Sequence, residues 1–228
     1  MLQERIEGKW LASFRRVFAL NGIGQGTTVA LISETQSRPV LLHLAELALY
    51  DLGADFCMLR LPTPPQTAPV PVKGTGTSLA IQHNRAAIEA MKTCKVVVDC
   101  TVEGMIHSPE WPEIEAAGAR ILVVTNEHPE ILERTEPFAE LGPKVDLGVQ
   151  MLKDANEMHV TSIAGTDLRI NLTDAPCGGT AGFGNKPGDV AHWPGGLCLA
   201  FPGKNCVNGR IVMDVGDTLE AQFQSSSA

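Results

Sequence analysis

The sequence has no run of about 18 apolar residues, no excess of positive charge and no paired-cysteine motif. A transmembrane helix needs about 20 mostly apolar residues, so we expect no segment that spans a membrane. The chain has 18 basic and 26 acidic side chains and a formal charge of −8. A nucleic-acid or anionic-membrane surface needs a basic patch, so neither partner is expected.

The start of the chain and its cysteines both suit a reducing compartment. Residues 1–7 mix charged and apolar side chains, whereas a secretory signal has a basic stretch followed by an apolar core. The six cysteines form no Cys-x-x-Cys pair and no cluster with histidine at zinc-finger spacing. We therefore expect a cytoplasmic protein with buried free thiols rather than a disulfide framework.

Common nucleotide and zinc motifs are missing or misplaced. The glycines at 22, 24 and 26 precede a predicted strand, whereas a dinucleotide fingerprint follows a strand and opens a helix. Residues 73–78 contain glycines and hydroxyls but lack Walker A spacing, and no H-E-x-x-H pair exists. A helix-to-strand turn is the favoured interpretation of residues 22–26.

The first 156 residues alternate between helical and strand periodicity. The predicted strands are 28–32, 55–61, 95–99 and 120–124, and the predicted helices are 10–18, 40–52, 84–93, 110–117, 129–135 and 144–156. This alternation predicts an α/β fold with a mostly parallel, Rossmann-like sheet flanked by helices on both faces. We expect residues 1–156 to form this α/β domain.

After residue 156 the pattern becomes strand-like. Residues 157–162 and 167–172 alternate with period two across a short turn, which predicts a hairpin. Further strands are predicted at 197–201 and 210–215, and Asn208-Gly209 is a typical tight-turn sequence. Residues 157–228 are therefore expected to be a β-rich segment that begins a second domain.

Two long loops and a few polar residues are the candidate binding features. The loops are predicted at 62–78 and 173–196, after strands, where α/β sheets place ligands. His107 lies just past the strand at 95–99, and His192 lies in the second loop; imidazole suits proton transfer near neutral pH. Trp193 is expected to be a lid or pocket wall rather than a core residue. Asp167 is either a turn cap or a substrate contact.

Several of these residues belong to a series of strings that resembles a known family. The strings are CKVVVD at 94–99, MIHSPE at 105–110, ARIL at 119–122, HVTSIAGTD at 159–167, HWPGG at 192–196 and VMDVGD at 212–217. They resemble the 2,5-dihydroxypyridine 5,6-dioxygenase family, which is part of a wider group similar to the M29 metal aminopeptidases. The resemblance covers residues 85–220 well.

The resemblance implies an Fe(II) enzyme that opens a hydroxylated pyridine ring with O₂ during nicotinate or nicotine breakdown. His107 and His192 match pocket positions of the family, which implies acid/base or substrate-orienting roles. Trp193, Asp167 and Thr180 are the implied substrate-binding residues, although a family pocket glutamate falls near Gly179-Thr180, where this chain has no carboxylate. The family's metal ligands lie in a later domain, so no metal ligand is assigned in this chain.

Two alternatives to the dioxygenase hypothesis remain open. The chain could be an M29-like metallopeptidase or hydrolase relative, or a non-catalytic family member that lacks the metal site. In each case a strand near residues 214–217 close to the chain end would leave an unpaired edge, which usually finds a partner. A homo-oligomer is therefore expected.

Overall fold

A computed structural model describes residues 5–65 and 77–214 of the chain. The chain divides into two compact units, the first formed by Met1–Val145 and Thr180–Leu197 and the second by Asp146–Gly179 and Cys198–Ala228. This division differs from the expected boundary after residue 156, because a late strand returns to the sheet of the first unit. Most of the predicted 62–78 loop, residues 66–76, lies outside the described residues.

A five-stranded parallel sheet forms the centre of the first unit. Its strands are β1 (Thr28–Glu34), β2 (Asp55–Leu61), β3 (Val96–Cys100), β4 (Arg120–Val124) and β8 (Val190–Trp193). Their order across the sheet is β2-β1-β3-β4-β8, and every neighbouring pair is parallel. The parallel sheet flanked by helices confirms the predicted fold class.

Among the described residues, five α-helices lie wholly in the first unit. They are α1 (Gly8–Leu20), α2 (Pro39–Asp51), α3 (Arg85–Lys92), α4 (Trp111–Ala116) and α5 (Pro129–Arg134). Four of them, α2 to α5, have recognisable start signals. Proline at the first position of α2 fits the helix because its missing N–H would have no partner there. Asn84 caps α3 by accepting a hydrogen bond from the Ala87 N–H at 3.2 Å. A sixth helix, α6 (Leu141–Asp154), contains the point where the chain passes into the second unit.

Both faces of the sheet are buried, which explains the continuous apolar runs of its central strands. On one face, which we call the α1/α2 face, Val96 and Val98 join a core cluster with residues of α1 and α2. On the opposite face, which we call the α3/α4 face, Val97 joins a second cluster with residues of α3 and α4. Successive residues of a strand therefore face different helix layers.

In the part of the second unit that the structure describes, three short strands form an antiparallel sheet. They are β5 (Glu157–Thr161), β6 (Asp167–Asn171) and β10 (Val207–Arg210), in the order β10-β6-β5. The β5–β6 pairing confirms the predicted hairpin. Two further strands, β7 (Cys177–Thr180) and β9 (Leu197–Ala200), pair with each other where the chain passes between the units.

The tight turn predicted at Asn208-Gly209 is wrong, because both residues lie inside β10 and pair with Arg169 and Leu168 of β6. Gly209 has a φ of +125°, and a Cβ there would lie 2.1 Å from the Asp167 carbonyl oxygen. Glycine is needed for this close strand approach rather than for a turn. The strand predicted at 210–215 is also wrong for the described residues, since β10 ends at Arg210.

The long loop predicted at 173–196 is wrong because it contains two strands, β7 and β8. β8 has only four residues between glycine- and proline-rich segments, so its sequence resembles a loop. Its pairing with β4 satisfies backbone groups that β4 would otherwise present at an open edge. His192 therefore lies on a strand and not in a loop.

Two general features complete the description of the fold. All six cysteines lie in the described ranges and none forms a disulfide there; Cys100 is buried, whereas Cys57 and Cys198 are exposed. None of the helices in the described ranges has both the length and the apolar character that crossing a bilayer requires.

An ion-pair network joins α3 to α4. The Arg85 guanidinium donates two hydrogen bonds of 2.8 Å to the Glu113 carboxylate, and Lys92 Nζ donates a third at 2.9 Å. These bonds lower the pKa of Glu113 to about 2. The carboxylate is solvent-exposed, so screening by water limits what the network contributes to stability.

We expect this network to make the stability of the folded chain vary with pH in the acidic range. The pKa of Glu113 is lower in the folded chain than in the unfolded chain, so its stabilising contribution is present above pH 4.5 and is lost as the pH falls towards 2. Thermal unfolding of Glu113→Gln should therefore show a smaller drop in Tm between pH 4.5 and 2 than the parent protein. Glu46→Gln on α2 is the control, and an equal change in both variants would contradict the assignment.

Candidate functional site

The candidate site lies at the carboxyl edge of the parallel sheet, where β1 and β3 are neighbours. The chain leaves β1 towards β2 on one side and leaves β3 towards β4 on the other, so the connections diverge at this point. Ligands of open α/β sheets bind at such a switch point. Two acidic residues mark it, Glu34 at the end of β1 and Asp99 near the end of β3, with exposures of 2% and 0%.

Asp99 fixes the segment that follows β3. One carboxylate oxygen accepts hydrogen bonds from the Thr101 N–H at 2.9 Å and the Thr101 hydroxyl at 2.6 Å. The other accepts one from the Met105 N–H at 2.7 Å. Burial raises the pKa of the Asp99 carboxyl, while these hydrogen bonds oppose that rise because they favour the charged form.

His107 lies on a tight turn in this segment. The Ser108 N–H donates to the Met105 carbonyl at 2.9 Å, which places Ile106 and His107 at the centre of a turn. Met105 is fully buried and Ile106 packs beside it in the cluster of the α3/α4 face, while the His107 side chain is exposed. As expected from the sequence, His107 follows the carboxyl end of its strand.

His192 lies on β8 in the same row of the sheet as Asp99. Asp99 pairs with Val123 of β4, and Val123 pairs with His192. Paired residues of neighbouring parallel strands point to the same face, and Val123 belongs to the cluster of the α3/α4 face. His192 thus projects from the same face that carries the turn of His107, and it is half-buried.

The tautomer of neutral His192 is set by its own backbone. Nδ1 lies 2.9 Å from the Pro194 carbonyl oxygen. Because a carbonyl oxygen can only accept, Nδ1 carries the proton and donates, which leaves the lone pair of the neutral ring on Nε2. Nε2 is therefore the atom of His192 that is suited to accept a proton.

The expectation that Trp193 is a lid or pocket wall is wrong, because its side chain is 0% exposed and lies in the core of the α1/α2 face. Its Nε1–H donates to the Leu132 carbonyl at 3.0 Å, and its ring packs edge-on against Phe14. Its carbonyl also accepts two hydrogen bonds from Thr125 at the end of β4. Trp193 thus anchors the strand that carries His192.

Thr180 lies close to the same strand end through backbone contacts. Its carbonyl accepts from the Gly196 N–H at 2.8 Å, and its hydroxyl accepts from the Gly182 N–H at 3.2 Å. A Cβ on Gly195 would lie 2.4 Å from Gly182 Cα, so the two backbone segments cross in direct contact. Thr180 is half-buried at this crossing.

Asp167 belongs to the second unit and has a different partner. It is the first residue of β6, and its Oδ1 lies 2.7 Å from Nε2 of the exposed His159 on β5. This hydrogen bond lowers the pKa of Asp167. The sequence alone does not indicate this hydrogen bond, although residues 159 and 167 lie on facing strands of the predicted hairpin.

The described residues do not fit a complete metal site. Within 5–65 and 77–214, no group of three or more His, Cys, Asp and Glu side chains is arranged to hold a metal ion. His107 and His192 are the site's candidate proton-transfer groups, and no third ligand-type residue joins them there as a metal-binding group.

The buried polar residues that support the site receive no role from the sequence alone. Glu34, Ser78 and Asp99 are 2%, 3% and 0% exposed. Asp99 stands out as an acid close to His107 in the sequence, and Glu34 is recognisable in a similar way as an acid that ends an otherwise apolar strand segment. Ser78 carries no comparable signal, because a serine near glycines is ordinary in a loop.

Comparison with known proteins gives a consistent result. The family model of NicX, 2,5-dihydroxypyridine 5,6-dioxygenase, matches residues 9–226. A 2,5-dihydroxypyridine 5,6-dioxygenase of Pseudomonas putida is 30% identical over 208 residues, which are 90% of this chain and 59% of that protein. The solved structure of the 2,5-dihydroxypyridine dioxygenase from P. putida KT2440 matches with a TM-score of 0.81 and 31% identity, covering 91% of this chain and 60% of that one. The chain thus spans about three fifths of the length of these relatives.

We expect Asp99→Asn to destabilise the first unit. The amide nitrogen of asparagine would place a donor against either the Met105 N–H or the Thr101 donors, leaving buried groups unpaired. The free energy of unfolding should fall by about 1–3 kcal/mol, measured by urea denaturation. Asp55→Asn, at the exposed start of β2, should change it by less than about 0.5 kcal/mol. Equal effects of the two changes would contradict this role of Asp99.

Proposed function

We propose that this protein opens the ring of a dihydroxylated pyridine with O₂, because the chain belongs to the 2,5-dihydroxypyridine 5,6-dioxygenase family. The relatives carry that activity in their names, and the substrate we propose is 2,5-dihydroxypyridine or a close analogue. Such a reaction would serve nicotinate or nicotine breakdown. The cytoplasmic location and the homo-oligomer expected from the sequence stay predictions.

The observation that carries the proposal is the placement of two histidines. His107 and His192 come from segments far apart in the sequence, yet both lie at the carboxyl edge of the sheet and on its α3/α4 side. Imidazole is the side chain best suited to proton transfer near neutral pH. Opening a hydroxylated ring requires protons to leave the ring oxygens and to reach the product.

His192 is proposed to hold and move a proton at Nε2. The hydrogen bond from Nδ1 to the Pro194 carbonyl keeps Nε2 available and fixes the plane of the ring. His107, exposed on its turn, is proposed to orient a ring oxygen or to act as the second proton-transfer group. Thr180 and Asp167 remain proposed substrate contacts, whereas the burial of Trp193 argues for a supporting role.

Fe(II) is the cofactor that the family resemblance implies. The described residues offer it no set of three ligands, so the proposal gives these residues only proton-transfer and substrate-orienting roles. The same observation favours a second candidate, a family member that binds the pyridine without opening it.

Oxygen consumption separates the candidates. The reduced protein is mixed with Fe(II) and 2,5-dihydroxypyridine in air, and O₂ uptake is recorded together with loss of the ring absorbance. Uptake in step with ring loss supports the dioxygenase. Binding of the pyridine without uptake, at background metal content, would establish the second candidate instead. Cleavage of a dipeptide with Co(II) or Zn(II), in place of ring opening, would indicate an M29-like peptidase.

We expect His107→Ala and His192→Ala each to lower turnover by about 100-fold, the scale of lost acid/base help. The matched control is His43→Ala, which removes an exposed imidazole from α2 and should leave turnover unchanged. Steady-state O₂ uptake measures all three variants. Unchanged turnover in both site variants would remove these histidines from the mechanism.

A further inference from the structure

Ser78 makes four hydrogen bonds, three of which connect it to the turn of His107 and its preceding residue and to the end of β1. It is 3% exposed, and its hydroxyl donates to Oε1 of Glu34 at 2.6 Å. The same hydroxyl accepts from the Ala80 N–H at 3.2 Å. Its backbone N–H donates to the Gly104 carbonyl at 2.7 Å, and its carbonyl accepts from the Ser108 hydroxyl at 3.1 Å.

Ser78 and Asp99 hold the His107 turn through different residues. Asp99 holds Met105, the first residue of the turn, while Ser78 holds Ser108, its last residue. Ser78 also holds Gly104, which directly precedes the turn. The backbone around His107 is therefore fixed at both ends, although the His107 side chain itself is exposed.

Glu34 anchors the Ser78 side chain by accepting its hydrogen bond. Its carboxylate is buried at the end of a central strand, and burying a carboxylate is costly unless it accepts hydrogen bonds. The backbone N–H of Glu34 donates to Ser37 at 2.8 Å, which holds the end of β1 in place. Glu34 thus fixes Ser78, and through Ser78 the turn, relative to the rigid sheet.

We propose that Ser78, anchored on Glu34, is a positioning residue that sets the imidazole of His107 for proton transfer. The proposal rests on the proposed function. It extends that function to two buried residues that lie outside the turn. A displacement of about 1 Å at a reacting group is enough to lower a rate substantially.

Steady-state kinetics of Ser78→Ala is the first test. We expect kcat to fall about tenfold while KM stays within about twofold, because the group that is misplaced acts in the reaction. The matched control is Ser13→Ala. Ser13 lies on α1, is similarly buried, and its hydroxyl donates a hydrogen bond of 2.7 Å to the Glu136 carboxylate. Glu34→Gln keeps an acceptor oxygen for Ser78 and should keep kcat within about twofold of the parent value.

A double-mutant cycle distinguishes positioning from general loosening. In a His107→Ala background, Ser78→Ala should lower kcat no further, because the group that it positions is already gone. An additional tenfold loss in that background would overturn the proposal. So would a Glu34→Gln variant as impaired as Ser78→Ala, since the role of Glu34 here is to accept a hydrogen bond.

A readout without turnover keeps this inference separate from the proposed function. In NMR spectra, Ser78→Ala should shift or broaden the His107 imidazole resonance and leave that of His192 in place, whereas Ser13→Ala should move neither. Should Ser78→Ala fail to fold, Ser108→Ala removes the bond at the end of the turn and should give the same change. An unmoved His107 resonance overturns the positioning role, whereas absent O₂ uptake with a moved resonance overturns only the proposed activity.

Discussion

The carboxylate of Asp99, sealed from water at the end of a central strand, is the constraint on which the candidate site depends. A buried charge has to be compensated by donors close at hand, and here they come from the backbone and hydroxyl of the next six residues. Satisfying Asp99 therefore dictates how the chain leaves β3. The turn that carries His107, the approach of Ser78 and the start of α4 all follow from that path.

The two candidate histidines are positioned by different means. His192 is part of a strand, and the core side chain of Trp193 next to it fixes that strand from the opposite face of the sheet. His107 belongs to a loop, so its position depends on hydrogen bonds to residues elsewhere in the chain. Sites built on strands are usually more exact than sites built on loops, and the buried bonds of Asp99 and Ser78 compensate for that difference.

Sequence patterns predict the parts of this fold in which local chemistry and burial agree. The strand at 120–124 is found at the expected residues because an apolar run buried in a sheet is hard to mistake, and the largely exposed strand at 55–61 is also found where it was expected. β8 escaped detection, since four residues between glycines and proline carry no periodicity, and only the open edge of β4 makes them a strand. The environment of Trp193 and the use of Gly209 likewise depend on tertiary neighbours. For the same reason only part of the candidate site is predicted from the sequence. Its histidines stand out in a sequence, whereas the burial and hydrogen bonds of the supporting acids and serine do not.

The pairing of β4 with β8 also bears on how the protein is made. Ile121 of β4 can pair with Val190 of β8 only after Val190 has left the ribosome, which is long after the other four strands of the sheet have emerged. Until then β4 presents an open edge of unpaired backbone groups, which is the state most open to wrong pairing with another chain. His192 is part of that last strand, so both histidines can lie at the carboxyl edge of the sheet only when the sheet is complete. The nascent chain is therefore most exposed to aggregation in the interval between the synthesis of β4 and that of β8.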